Sequence, residues 1–202
     1  MPVVLVHGFL VGPLSCFWLG HQLRQSGFQP HTFAYSTRQA SLQQAADALL
    51  AYAQTLQVKQ LHWVGHSLGG LVILAMLQAA KEQRIELPMG HVVLLGSPVR
   101  GASAAARLAR HALGRRLLGQ ARASLHHAFD SAPTDRPTTV IRGTQPLGAG
   151  RLLGSLPTPN DGTVAVEETE LSGAHAIDLP TTHAGLVLSP TVAQAVVEAL
   201  RG

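Results

Sequence analysis

The sequence predicts an α/β fold in which a mostly parallel sheet is covered by helices on both faces. Short apolar runs of strand length alternate with helical patterns along the whole chain. The strand-like runs are almost entirely apolar, which is typical of parallel strands that are buried on both faces. Of the 202 residues, 46% are hydrophobic and 13% are charged, a globular composition. We find no internal repeat and no composition break that divides the chain, so a single domain over residues 1–202 is expected.

The first half of the chain predicts three strands and three helices. Apolar runs indicate the strands, and apolar residues that recur every three or four positions indicate the helices. The third strand and third helix frame a glycine- and serine-containing turn. The expected elements are strand Val3–Val6, helix Gly12–Gln25 with Phe17, Leu19 and Leu23 on its apolar side, strand His31–Tyr35, helix Leu42–Leu56, strand Leu61–Val64 and helix Leu68–Ala80.

The second half predicts three more strands, His91–Leu95, Thr138–Arg142 and His175–Leu179, and a closing helix, Pro190–Leu200. The Ala/Arg-rich interval 101–128 is too long for a plain crossover, so it predicts an inserted helical cap or lid. Its apolar residues have two open interpretations: they line an acyl pocket, or they pack onto the sheet. These residues are Leu108, Ala112, Leu113, Leu117 and Leu118.

Positive charge is concentrated in the same interval. The formal net charge is +4, and no acidic residue occurs between Glu86 and Asp130. Six arginines fall there: Arg100, Arg107, Arg110, Arg115, Arg116 and Arg122. We expect no nucleic-acid partner, because the segment lacks interleaved aromatic residues. A solvated helix face is the favoured interpretation, and contact with an anionic lipid surface or an acidic substrate is the alternative.

The stretch Leu61–Ile73 carries the clearest chemical signal. It contains an apolar strand, then Gly65-His66-Ser67-Leu68-Gly69, then an apolar helix. In this context a Gly-x-Ser-x-Gly turn is strained and exposes the hydroxyl of its serine, while the glycines allow strand and helix to approach each other. The helix also directs its N-terminus at the site. We therefore expect Ser67 to be a nucleophile.

An activated serine requires a base and an orienting acid. Among eleven histidines, His183 is the expected base, because it follows the last expected strand and precedes the final helix. His66 is expected to point away from its neighbour Ser67. Asp161 is the expected acid, since it lies in a turn-rich loop after the Thr138–Arg142 strand, although ordinary Asp-Gly turn chemistry also explains it. The competing acids are Asp178, Glu167 and Glu168.

An oxyanion hole requires two backbone N–H donors. The residue after the serine, Leu68, is the first expected donor. The second is Phe9, because Gly8 allows the chain to turn sharply after the first strand and leaves the Phe9 N–H free. No clustered ligand spacing occurs among the His and Asp residues, so we expect neither a metal nor a cofactor.

These motifs together resemble the α/β-hydrolase superfamily, in particular the small bacterial serine esterases and lipases. The matching segments follow the family's order of nucleophile, acid and base and extend over nearly the whole chain. They are Val6-His7-Gly8-Phe9, Gly65-His66-Ser67-Leu68-Gly69-Gly70, Gly96-Ser97-Pro98, Asn160-Asp161-Gly162-Thr163-Val164 and Thr182-His183-Ala184-Gly185. The resemblance implies Ser67, Asp161 and His183 as the triad, and Phe9 and Leu68 as oxyanion donors.

The resemblance also implies a minimal six-stranded sheet, since the sequence begins directly at the strand before the His-Gly loop. An exposed edge strand would then favour oligomerisation. The expected activity is hydrolysis of small-molecule or lipid acyl esters through an acyl-enzyme. The alternatives are an acyltransferase with the same triad and a non-catalytic relative that binds an apolar ligand or partner. The N-terminus lacks the pattern of an export signal and no apolar run is long enough to span a membrane, so a cytoplasmic location is expected.

Overall fold

The computed structural model describes residues 1–148 and 156–202, which form one parallel sheet with helices on both faces. Six strands lie in the order β2-β1-β3-β4-β5-β6, and every neighbouring pair is parallel. This arrangement confirms the predicted α/β class. The strands are β1 (Pro2–Val6), β2 (Gln29–Phe33), β3 (His62–His66), β4 (Val92–Leu95), β5 (Thr138–Gly143) and β6 (His175–Leu179).

Helices connect the strands and form a layer on each face of the sheet. Among the described residues they are α1 (Phe17–Gln25), α2 (Leu42–Thr55), α3 (Leu68–Glu82), α4 (Ser103–Leu108), α5 (Ala112–Leu118), α6 (Ala121–Ser124) and α7 (Pro190–Arg201). Short 3-10 turns occur at Pro13–Cys16, Val166–Thr169 and Gly185–Val187. None of the helices in these two described ranges is both long and apolar enough to cross a membrane.

Alternating side chains of the strands divide the core into two halves. Val3 and Leu5 of β1 belong to the cluster that includes α1 and α7, whereas Val4 and Val6 belong to the cluster with α2 and α3. Successive residues of a strand point to opposite faces, so burial of both faces requires apolar residues at every position. The continuous apolar runs in the sequence follow from this geometry.

The other strands and helices differ from their predicted bounds by at most two residues at an end, and two elements differ more. The second strand is Gln29–Phe33 rather than His31–Tyr35, because the ladder already begins where the Gln29 N–H donates to the Met1 carbonyl oxygen at 2.9 Å. The first helix begins at Phe17, after the 3-10 turn, and Phe17 is 71% exposed. Phe17 lies about 200° around the helix from the buried Leu19, so the two cannot share a face.

The interval 101–128 contains three short helices, α4, α5 and α6. Leu118 is buried in the core cluster, in agreement with the packing interpretation for this residue, and Leu108 packs partly buried against that cluster. Leu113 is 80% exposed and Leu117 is 40% exposed. For these two leucines the packing interpretation is wrong, because their side chains face solvent on a short helix that buries only Gly114 and Leu118. The acyl-pocket interpretation stays a prediction.

Candidate active site

Ser67 occupies the turn between β3 and α3 with φ 53° and ψ −122°. A positive φ is unfavourable for a residue with a side chain and is found where the surrounding structure imposes it. A Cβ at Gly65 would lie 2.6 Å from the Gly70 backbone, and one at Gly69 would lie 2.1 Å from the Val6 carbonyl oxygen. Both positions therefore accept only glycine, which accounts for the Gly-x-Ser-x-Gly spacing.

The Ser67 hydroxyl is not used to cap the helix that follows. Ser67 is the N-cap residue of α3, and within the described chain its side chain makes no capping hydrogen bond. Leu68, the first residue of α3, is buried at this terminus. The first N–H groups of a helix have no partner inside the helix, and its dipole favours negative charge at this end. The turn thus combines a serine with N–H donors suited to an anion.

Asp161 and His183 form a close pair. The Nδ1 of the His183 ring lies 2.6 Å from Oδ2 of Asp161. In addition, the backbone N–H of His183 donates to the backbone carbonyl oxygen of Asp161 at 2.9 Å. Oδ1 of the buried Asp161 accepts the N–H groups of Thr163 and Val164 at 2.9 and 2.7 Å. One carboxylate oxygen therefore shapes the Asp-Gly turn while the other contacts the imidazole, so the turn chemistry leaves Asp161 able to contact His183.

The three competing acids have other partners or positions. Asp178 on β6 accepts a hydrogen bond from Nη2 of Arg142 at 2.9 Å. Glu168 is buried and accepts the backbone N–H of Ala165 at 2.8 Å, as well as that of Ser103. Glu167 is exposed. Of the four acids considered, Asp161 is the one that contacts His183.

The Asp161–His183 pair packs against the C-terminal end of β4, next to the serine turn. A Cβ at Gly96 would lie 3.0 Å from Asp161 Oδ2 and 3.2 Å from His183 Nδ1. In the described residues no hydrogen bond joins Ser67 Oγ to His183. Contacts of this kind are often long without substrate and shorten when substrate binds. The structure brings Asp161 and His183 into contact and places Ser67 at the same edge of the sheet.

His66 links the serine turn to His183, a contact that sequence reasoning missed. Its ring centroid lies 4.8 Å from that of His183, and its Nε2 is 3.1 Å from the His183 carbonyl oxygen. A carbonyl oxygen only accepts, so Nε2 of His66 carries the proton. Burial lowers the pKa of His66 to about 3, so the ring is neutral. The contact joins positions 117 residues apart, and no local pattern signals it.

The loop after β1 lies directly on the serine turn. A Cβ at Gly8 would lie 3.1 Å from Ser67 Cβ. Tyr35 holds this loop: its hydroxyl donates to the His7 carbonyl oxygen at 3.0 Å, and its ring stacks on the His7 ring at 4.7 Å. Burial lowers the pKa of His7. The loop therefore holds Gly8, the residue before Phe9, against the serine turn. Sequence reasoning treated Tyr35 only as the end of a strand.

The described ranges contain no cluster of three or more His, Cys, Asp or Glu side chains that could hold a metal ion. The chemistry that the arrangement supports is that of a serine with a carboxylate-paired histidine nearby and backbone donors at a helix terminus.

A family model described as the alpha/beta hydrolase family matches residues 3–198. The chain belongs to this family. The resemblance found in the sequence is therefore confirmed, and the six-stranded parallel sheet is the sheet of an alpha/beta hydrolase. A search of curated proteins finds no match.

Solved structures share the fold of this hydrolase at low sequence identity. The mature lipase BlEst2 of Bacillus licheniformis has a TM-score of 0.77 at 19% identity, covering 97% of this chain and 91% of the lipase. The thioesterase RedJ of Streptomyces coelicolor has a TM-score of 0.66 at 15% identity, with 98% and 90% coverage. The carboxylesterase CesB of Bacillus subtilis has a TM-score of 0.60 at 17% identity, with 98% and 83% coverage.

Proposed function

We propose that this alpha/beta hydrolase is a serine hydrolase that cleaves carboxylic esters, with Ser67 as nucleophile, His183 as base and Asp161 as orienting acid. The observation that carries the proposal is the 2.6 Å contact between His183 Nδ1 and Asp161 Oδ2 at the sheet edge where Ser67 sits in a strained turn. A buried carboxylate is costly unless its oxygens are satisfied. Here both oxygens have partners, and one partner is the imidazole of His183.

The tautomer of His183 follows from this contact. Nδ1 faces a carboxylate, so it carries the ring proton and Nε2 keeps its lone pair. Nε2 accepts the Ser67 proton as Oγ bonds to the ester carbonyl carbon, and the carbonyl electron pair moves onto oxygen. His183 then gives that proton to the departing alkoxide, which leaves an acyl-enzyme and an alcohol. Water then bonds to the acyl carbon as His183 takes its proton, and His183 returns that proton to Ser67 Oγ as the acyl–oxygen bond breaks and the acid leaves.

The developing oxyanion requires donors that exist before the reaction begins. We assign this role to the backbone N–H groups of Leu68, at the start of α3, and Phe9, in the loop that Gly8 packs against Ser67. Removing one such donor typically costs about 3 kcal/mol in barrier height. The proposed site requires neither metal nor cofactor.

The proposed substrates are small-molecule or lipid acyl esters, and thioesters follow the same steps. The fold neighbours named as a lipase, a carboxylesterase and a thioesterase support this range. An acyltransferase uses the same acyl-enzyme but passes the acyl group to an alcohol instead of water. A non-catalytic binding protein forms no acyl-enzyme.

The test is hydrolysis of p-nitrophenyl esters from short to long acyl chains by the wild type and by variants. Ser67→Ala is expected to retain less than about one thousandth of the activity. Asp161→Asn is expected to lower kcat by about 10³–10⁴-fold. Asp178→Asn, which converts one of the competing aspartates to its amide, is the matched control and is expected to retain activity.

A fluorophosphonate probe separates the alternatives. Labelling of wild type and not of Ser67→Ala supports an activated serine. Added alcohols that divert the acyl group from water would indicate an acyltransferase. A folded protein that is neither labelled nor active on any ester would contradict the proposal and favour a binding protein.

A further inference from the structure

Large apolar side chains are exposed unevenly on this protein. Within the described residues, the exposed large apolar side chains lie in segments that come after the C-terminal end of a strand, with the exceptions of Met1 and Met89. Scattered exposed apolar residues are ordinary, whereas a concentration on one side of a monomer marks an interaction surface. We call six of these residues the apolar rim: Leu14, Phe17, Leu113, Leu117, Leu147 and Leu188.

The apolar rim lies at the edge of the sheet that carries Ser67. All strands are parallel, so the segments that follow β1, β4, β5 and β6 emerge at the same edge as the serine turn after β3. The contribution from α5 is tied to this edge, because Nε of Arg38, in the loop after β2, donates to the Leu117 carbonyl oxygen at 3.1 Å. The most exposed members, Leu14 at 83% and Leu113 at 80%, have almost no protein contact to lose.

Positive charge lies beside this rim. Arg38, Arg115 and Arg122 line a shallow cavity of about 530 Å³ that has no acidic residue among its lining residues. Backbone carbonyl oxygens hold two of the guanidinium groups: Arg38 donates to Arg116, and Arg115 to Ala109 and Arg110. These bonds position the groups without neutralising them. We call this cavity the arginine pocket.

We propose that this edge docks on an anionic lipid surface, with the apolar rim entering the interface and the arginine pocket contacting phosphate headgroups. Exposed apolar side chains beside arginines are the combination that binds the headgroup and acyl-chain boundary of a membrane. A purely polyanionic partner such as a nucleic acid would pair with the arginines but would offer no apolar surface to the exposed leucine and phenylalanine side chains. The biological role of this docking rests on the proposed function, because docking would present Ser67 to lipid acyl esters.

Sedimentation with lipid vesicles tests the proposal. The protein carries Ser67→Ala to prevent turnover, and the vesicles are pure phosphatidylcholine or phosphatidylcholine with phosphatidylglycerol. We expect binding to the anionic vesicles that weakens with added salt. Arg122→Glu and Leu113→Ser are each expected to weaken it about tenfold or more. Lys59→Glu and Met89→Ser, exposed residues that precede β3 and β4 at the opposite edge, are the matched controls and are expected to bind as before.

The outcomes separate this surface from the catalytic assignment. Equal binding to neutral and anionic vesicles, or equal loss in Arg122→Glu and Lys59→Glu, would overturn the proposed surface. In proteins that retain Ser67, hydrolysis of a short, soluble ester is expected to be unchanged by Arg122→Glu and Leu113→Ser. Serine-dependent hydrolysis without vesicle binding would refute the docking surface alone. Vesicle binding without any hydrolysis would refute the proposed function while supporting the surface.

Discussion

Because His66 is buried and neutral, we predict that the free energy of unfolding falls in acid. Burial, with His183 nearby, lowers the pKa of His66 to about 3 from its ordinary value of 6.5. A lowered pKa means that the folded protein resists protonation that the unfolded chain accepts. The contribution to stability is therefore fully present above pH 6.5 and is lost as the pH falls towards 3. At pH 5, which is about 1.5 units below the pKa of this histidine in the unfolded chain, protonation stabilises the unfolded chain by about 2 kcal/mol relative to the folded protein.

The assay is urea unfolding at pH 7.5 and pH 5.0 for wild type, His66→Gln and His126→Gln. Glutamine retains an N–H donor that can reach the His183 carbonyl oxygen but does not titrate. We expect His66→Gln to lose about 2 kcal/mol less than wild type between the two pH values. His126 is exposed, so His126→Gln removes one histidine and is expected to follow wild type. Identical losses for wild type and His66→Gln would refute the argument that burial holds His66 neutral.

Three further substitutions test the packing around the site and one helix cap. Gly69→Ala places a Cβ 2.1 Å from the Val6 carbonyl oxygen, so we expect about 3 kcal/mol of destabilisation in urea and loss of esterase activity; unchanged activity would contradict the close approach. Tyr35→Phe removes the hydroxyl that donates to the His7 carbonyl oxygen, so we expect about 1 kcal/mol of destabilisation and a lower kcat with little change in KM. A change confined to KM would argue against a role of this bond in placing the oxyanion loop. Ser41→Ala removes a capping box at the start of α2, and a fall of about 1 kcal/mol in unfolding free energy is expected with activity intact.

Local features of this protein were predictable because they depend on contiguous residues. The serine turn requires an apolar strand, two glycines and an apolar helix in immediate succession, and 61–73 supplies them in order. The helix over 42–55 was equally predictable, since Ala45, Leu49 and Ala53 recur at the helical spacing and are buried as expected. In both cases the short-range pattern and the tertiary packing agree.

Features that depend on distant residues were not predictable. The contact of His66 with His183 exists because the loop after β6 folds back over the end of β3, and sequence spacing carries no trace of it. Phe17 illustrates the opposite error: apolar character suggested burial, but the start of α1 turns it towards solvent at the edge that carries Ser67. The assignment of Asp161 to the triad follows from chain order and stays a prediction until the variants are assayed.

The edge strand β2 has a consequence for self-association. The backbone N–H of Gln29 in β2 is directed towards β1. Along a strand, successive backbone N–H groups point alternately to one side and the other, so the N–H of the next residue would point away from the sheet. That residue is Pro30, which has no N–H to offer. An incoming strand from another molecule would lack one of its ladder bonds at this edge, a known protection against aggregation. The expected oligomer stays a prediction, and one formed at this edge would depend on side-chain contacts rather than on a sheet continued across two molecules.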